Sequence, residues 1–387
     1  MKITDNWINQ PATKAVCHML ESAGYQALFV GGCVRNALLD VPVNDIDIAT
    51  DALPDQVAQL AAAAGLKAIP TGIDHGTVTV VSEGLPHEIT TFREDVQTHG
   101  RHATVAFSGD IAQDARRRDF TMNALYARSD GLVLDPLGGL DDLRARRVRF
   151  IEDAAQRIRE DYLRILRFFR FHAWYGDASG GLDADGLAAV AAHVDGLQGL
   201  SRERVGAEML KLLAAADPAP AVAAMRSTGV LAAVLSGADD RALGPLVHLE
   251  ALENVAVNPV RRLAALGGED VAKRLRLSKR QAKELDLLRS ENGKTTGAVE
   301  LGYRHGVQTG MDIMLLRAAM LEQPLAGNLS AELGKGAKAV FPIAARDLMP
   351  EFKGPALGAR LIEIESRWIA SGFTLTKRDL LSGTPRI

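Results

Sequence analysis

The sequence predicts an α+β protein in which a head of mixed sheet and helices, residues 1–150, precedes an all-helical remainder. Short β-like runs broken by Gly and Pro crowd the head, and beyond it Ala- and Leu-rich helical spacing takes over. A chain of 387 residues also exceeds one ordinary core and implies about two to four domains.

In chain order, a helix is expected over 12–22, since Pro11 suits a first turn and Gly24 a C-terminal stop. Strands follow at 27–30, 43–49, 77–82, 88–92 and 104–107, with helices over 34–39 and 54–64 between them. Further helices are expected over 154–174, 184–194, 201–215, 219–226, 269–289, 330–334 and 355–371. Residues 176–181 and 291–297 read as loops, and the end, Ser382-Gly383-Thr384-Pro385, as disordered.

Composition narrows the function. With 47% hydrophobic and 24% charged residues the chain reads as a soluble globular protein. No apolar run approaches the roughly 18 residues of a membrane span, and the first residues lack a signal-peptide core. Two cysteines, Cys17 and Cys33, make no disulfide framework or metal knuckle and fit a reducing cytoplasm. A net charge of −3 exerts no global pull on nucleic acid, so any RNA binding must rest on local basic patches.

The chemistry concentrates first in Gly31-Gly32-Cys33-Val34-Arg35 and Asn44-Asp45-Ile46-Asp47-Ile48. Alternate side chains of a strand share a face, so Asp45 and Asp47 project together while Ile46 and Ile48 enter the core. Two such carboxylates, about 7 Å apart, suit divalent cations. The Gly-Gly turn before a helix lets backbone amides approach a phosphate. Together they point to phosphoryl or nucleotidyl transfer. Rival motifs fail: there is no later glycine for a dinucleotide loop, Leu288 stands where a P-loop before Gly293-Lys294-Thr295 needs Gly, and His87-Glu88 lacks a second His.

Glu88 lies on an extended run that could neighbour the Asp strand and bring a third carboxylate to the metals. Arg116-Arg117-Arg118-Asp119-Phe120-Thr121 joins an Arg-rich helix end to a cap at Asp119 or Thr121, with guanidinium groups for a triphosphate and a carboxylate for a ribose hydroxyl. Asp161, Arg164, Arg167 and Arg170 recur every three residues, so neighbours share one face of a mostly apolar helix. Charges on such a helix must pair with each other or meet a polar ligand, and this set suits the edge of a base.

In these clusters the chain resembles the class II tRNA nucleotidyltransferases, the bacterial CCA-adding enzymes and their poly(A) polymerase relatives in the polymerase-β superfamily. The matching pieces are Gly31-Gly32-x-Val34-Arg35, Asp45-x-Asp47, Glu88-x-x-Thr91-Phe92-Arg93, Arg117-Arg118-Asp119-Phe120-Thr121-x-Asn123-Ala124, Asp135-Pro136-x-Gly138-Gly139 with Asp142-Leu143, and Glu160-Asp161-x-x-Arg164. Ser201-Arg202-Glu203-Arg204 with Glu208 looks like the further helix-capping motif. The resemblance implies a polymerase-β-like catalytic head (1–150) followed by a helical neck (151–200), body (201–265) and tail (266–387). It implies that Asp45 and Asp47 bind magnesium (Mg2+), with Glu88 completing the catalytic set. Gly32 and Arg35 would hold the triphosphate, Arg118 and Asp119 would engage phosphate and ribose, and Asp161 and Arg164, with Arg167 and Arg170 beside them, would read the base. Asn36 replaces the family's usual Asp, and Tyr162 its common Pro.

The implied activity is template-free addition of CCA to tRNA from CTP and ATP; the alternative is poly(A) polymerase. Residues 70–80 look like the CCA-adding type, lacking a Gly-Arg-Arg-Phe-like stretch, and the loop 94–103, with Arg101 and His102, is full length. The tail shows no HD-type phosphohydrolase signature, and His75 reads as a loop residue rather than a ligand. Six cations in the eleven positions from Lys273 to Lys283 mark an RNA-contact stretch, with Lys279, Arg280 and Lys283 as candidates. Nothing in the sequence points to a protein partner.

Overall fold

The computed structural model describes residues 1–72, 76–99, 102–177 and 179–382. His75, Arg101 and the terminal Gly383-Thr384-Pro385 fall outside them. The chain forms two compact units, Met1–Ala238 with Glu269–Arg276, and Asp239–Gly268 with Leu277–Ile387.

The first unit holds a seven-stranded mixed sheet. Its strands are β1 (Leu28–Val30), β2 (Ile46–Thr50), β3 (Lys67–Gly72), β4 (Thr77–Ser82), β5 (Leu85–Thr91), then β8 (Tyr126–Arg128) and β9 (Val133–Leu134). They lie in the order β3-β4-β5-β2-β1-β8-β9, while β6 (Arg93–His99) and β7 (His102–Phe107) pair separately. Every pairing is antiparallel except β2 with β5. A parallel pair needs a long crossover. Here the helix Pro54–Ala63 and the β3–β4 hairpin supply it.

Alternation places Ile46 and Ile48 in the core at 5% and 0% exposure, as expected. The strand, however, starts at Ile46, so Asp45 precedes it on exposed, irregular backbone. Strand β3 was not foreseen: Pro70 and Lys67 argue against a central strand but are tolerated on this edge. The expected loop at 94–103 is instead largely the β6–β7 hairpin.

The helix expected over 154–174 is two helices, Ala154–Glu160 and Leu163–Tyr175. Asp161 between them is extended, and its carboxylate accepts the Leu163 N–H at 3.1 Å; aspartate competes for backbone donors in this way and favours helix starts. The second helix packs through an aromatic seam in which Phe150 stacks on Phe168 at 5.3 Å and Phe120 meets Phe171 at 5.0 Å.

The helix expected over 269–289 is also interrupted. Val271–Arg274 belongs to the first unit and Lys279–Asn292 to the second. Arg276 takes a left-handed φ of 48°, and Ser278 with Gln281 caps the next helix reciprocally. The six cations therefore divide between two units.

The second unit, taken alone, is helical. It includes Leu243–Leu252, Pro259–Leu266 and Ala298–Leu321, the last bent at Gly306; none was expected. Its interior holds a buried charge network. Arg261, fully buried, donates to Glu250 at 2.8 Å and to Asp312 at 2.5 Å, while Arg262 donates to the other Glu250 oxygen at 2.8 Å. No described helix is long and apolar enough to cross a membrane.

Candidate active site

The parallel register sets Glu88 directly beside Asp47. On β5, His87 and Ile89 are buried, so Glu88 points to the open face, and Asp45 stands at the mouth of β2. Among the described residues none of these three carboxylates has a cation partner. Burial, then the charges of Glu88 and Asp45, push the Asp47 carboxyl up to about 6 despite Arg118 and Arg35 nearby. Carboxylate oxygens are hard donors of the kind divalent cations take. Among the described residues no group of three or more His, Cys, Asp or Glu is placed to hold a metal ion.

Gly31 turns the chain from β1 into the helix Gly32–Leu38 with φ +69°, a conformation that L side chains avoid. A Cβ there would also lie 3.3 Å from Arg118 Nη1. That helix is short, so the positive charge at the turn comes mainly from side chains. Arg118 donates to Asp114 at 3.1 Å and to the Tyr126 hydroxyl at 3.2 Å, and Tyr126 donates to Asp114 at 2.6 Å. Burial would raise the Asp114 carboxyl, but Arg118 and Arg117 hold it at about 2. Sequence reasoning missed this anchor, although the spacing of four between Asp114 and Arg118 signals it.

Arg35 is only 7% exposed and forms no ion pair among the described residues. Its guanidinium sits 4.0 Å over the Tyr175 ring and donates to that hydroxyl at 2.9 Å, while Asn36 and Asn123 accept its other N–H groups. A buried cation held only by neutral groups is costly unless an anion arrives. The neutral Asn36 is part of that arrangement, since an Asp there would supply a counter-charge.

Asp119 is 7% exposed, and its oxygens accept the Phe120 N–H, Asn123 Nδ2 and the Arg167 guanidinium. Burial works against its ionised form, yet Arg167 and Asn123 hold it down at about 2. Neither Asp119 nor Thr121 caps the short turn Thr121–Asn123 with its side chain.

The four charged residues of the stretch 161–170 pair with other residues rather than with each other. Arg204 donates to Asp161 at 2.6 Å, Arg164 pairs with Glu160, Arg167 with Asp119, and Arg170 donates to Glu208 at 2.5 Å. Asp161 lies off the helix that carries the three arginines, a correction that follows from the break at that residue. Arg167 and Arg170 also flank Phe171, at 5.2 and 4.5 Å from its centroid. In the second unit, Lys279, Arg280 and Lys283 are all exposed.

Metal-type carboxylates beside buried guanidinium groups, backed by a helix of polar pairs, define an enzyme that transfers nucleotidyl groups. Residues 27–149 match the family described as "Poly A polymerase head domain", and residues 182–241 one described as "Probable RNA and SrmB- binding site of polymerase A". The chain is 33% identical to the mitochondrial CCA tRNA nucleotidyltransferase 1 of Mus musculus over 95% of its own length and 88% of that protein. It is 41% identical to a CCA-adding enzyme of Geobacillus thermodenitrificans over 56% of this chain and 52% of that one. The solved CCA-adding enzyme of Bacillus stearothermophilus in complex with CTP superposes with a TM-score of 0.78 at 28% identity, covering 96% and 95% of the two chains. The chain belongs to the class II CCA tRNA nucleotidyltransferase family. Enzymes of this family work with divalent metal ions.

Proposed function

We propose that this chain adds C, C and A in turn to tRNA 3′ ends from CTP and ATP, without a nucleic-acid template. The observation that carries the reading is the parallel register of Glu88 and Asp47 beside a turn backed by Arg118. Relatives named as CCA-adding enzymes, and the structure solved with CTP, support it. The RNA 3′-hydroxyl loses its proton to solvent, its oxygen bonds to the α-phosphorus, the bond to the bridging oxygen breaks, and pyrophosphate leaves with the electron pair. Magnesium held by Asp45 and Asp47 would supply the Lewis acidity that acidifies the hydroxyl and neutralises the leaving group.

In this reading Arg35 and Arg118 counter the triphosphate charge at the Gly31-Gly32 turn, and Glu88 adds a carboxylate beside the reacting centre. Asp119 acts through Arg167, which it orients. Asp161 and Arg164, with Arg167 and Arg170 beside them, present acceptors and donors to the base in place of a template. The neck, 151–200, would carry base recognition and the tail, 266–387, the grip on tRNA. Two buried free thiols, Cys17 and Cys33, favour a reducing cytoplasm.

Incubation with tRNA lacking its terminal CCA and labelled CTP and ATP should add two C and one A and then stop. Long A tails on unrelated RNA from ATP alone would make it a poly(A) polymerase instead. Replacing both Asp161 and Arg164 by Ala should relax selection against UTP and GTP by about ten- to a hundredfold, since a lost pair of base contacts costs about 1–3 kcal/mol of discrimination. Competition assays read this, and unchanged exclusion of UTP and GTP would make these residues purely structural. Changing Lys279, Arg280 and Lys283 to Ala should weaken tRNA binding and lower the salt slope by roughly one unit per lost phosphate contact, leaving nucleotide choice intact. Filter binding at several salt concentrations measures it; an unaltered slope would remove this helix from the RNA surface.

A further inference from the structure

On the helix Leu163–Tyr175, Phe171 and Tyr175 lie four positions apart and share a face, with ring centroids 5.5 Å apart. Both are buried. Arg35 reaches onto this face from the helix Gly32–Leu38, its guanidinium 5.1 Å from the Phe171 centroid and 4.0 Å from that of Tyr175. A Cβ on Gly32 would lie 3.8 Å from Arg35 Nη2, which sets that guanidinium beside the Gly31-Gly32 turn.

Phe171 therefore meets three guanidinium groups, those of Arg35, Arg167 and Arg170. Two of them are neutralised, Arg167 by Asp119 and Arg170 by Glu208. Arg35 has no acid partner among the described residues, and burial works against its charged form. What holds it is the Tyr175 ring, the Tyr175 hydroxyl at 2.9 Å, and the side-chain oxygens of Asn36 and Asn123. Asn36 is its chain neighbour and moves with it, so Tyr175 and Asn123 are the fixed points. A ring face and a hydroxyl orient a cation without cancelling its charge, which stays available to an incoming anion.

From this we infer that Tyr175 is a positioning residue, whose ring and hydroxyl hold the Arg35 guanidinium at the Gly31-Gly32 turn for the substrate's triphosphate. The inference deepens the proposed function and rests on a nucleoside triphosphate being the substrate. Tyr175 and Phe171 ride on the same helix as Arg167 and Arg170. One rod thus sets both the phosphate end and the proposed base end of the nucleotide.

The test compares the full chain with Tyr175→Phe, which keeps the ring, Tyr175→Leu, which removes ring and hydroxyl, and Arg35→Ala. Calorimetric titration reads binding of CTP, CMP and inorganic triphosphate. Tyr175→Leu should bind CTP and inorganic triphosphate about tenfold more weakly and CMP as the parent does, with Tyr175→Phe between. KM for CTP and ATP should rise by one common factor, kcat should change less, and UTP and GTP should stay excluded. In the Arg35→Ala chain, Tyr175→Leu should weaken CTP binding no further, because Tyr175 acts through Arg35. Additive losses overturn the proposal, as does an equal loss of CTP and CMP, which would make Tyr175 a packing residue. CTP binding unchanged in both Tyr175 variants overturns it too. If Tyr175→Leu does not fold, Tyr175→Phe decides by the same ratio of CTP to CMP. If the parent adds nothing to tRNA lacking CCA, the proposed function fails, and the binding ratios still judge Tyr175 separately.

Discussion

An Asp47→Asn chain is expected to bind tRNA almost normally yet incorporate neither C nor A, with Asp45→Ala behaving alike. The losses should reach on the order of 10³-fold or more, since the metal's share of transition-state stabilisation is several kcal/mol. The structure gives the result a built-in control for misfolding. Asp47 is partly buried and crowded by Glu88 and Asp45, and burial first, then these neighbouring charges, raise its carboxyl to about 6. Removing that charge relieves repulsion, so without divalent ions the Asn variant should melt at or above the parent's temperature. Primer-extension gels and thermal melts together read both halves. Retained turnover would move the metal to other ligands, and a sharply lower melting temperature would make Asp47 structural.

Glu250→Ala should have the largest effect on stability, lowering the unfolding free energy of the second unit by about 3–5 kcal/mol. One carboxylate serves two buried guanidinium groups there, Arg261 through one oxygen and Arg262 through the other. Removing it leaves charge in the interior that Asp312 alone cannot balance. Glu250→Gln keeps the volume and one acceptor and should fall between. A urea titration followed by hydrogen exchange in second-unit peptides reports the shift. A cost under about 1 kcal/mol would mean that water or rearranged side chains reach the arginines.

What was legible in the sequence was chemistry and period coinciding over a few contiguous residues. Asp47 between Ile46 and Ile48 is such a case, and Glu88 on its own short run is another; the structure then joins them, 41 positions apart in the chain, by strand pairing. Partnerships were not legible. Spacing of three along 161–170 suggests pairs within one helix, but only Arg164 pairs locally, with Glu160, and the other partners are Arg204, Asp119 and Glu208, which lie 43, 48 and 38 residues away. Local period cannot show such pairs, nor does it reveal that Asp161 serves the next helix's backbone. The helix Ala298–Leu321 escaped notice because Gly302, Gly306 and Gly310 interrupt its pattern and lower its propensity. Strand β3 escaped because an edge tolerates what a central strand does not.

The order in which the polypeptide is made does not match the order in which its parts can close. The chain quits the first unit after Ala238 and returns to it only for Glu269–Arg276. Until that return, the flank of the helix Arg202–Leu213 at Gly206, against which the Leu275 backbone packs, has nothing to cover it, although Asp45, Asp47, Glu88 and Asp161 have all been synthesised. A nascent chain at residue 238 thus carries these four carboxylates on an unfinished body. Completion waits for Leu275, so a stretch of the second unit must emerge from the ribosome before the first can be sealed.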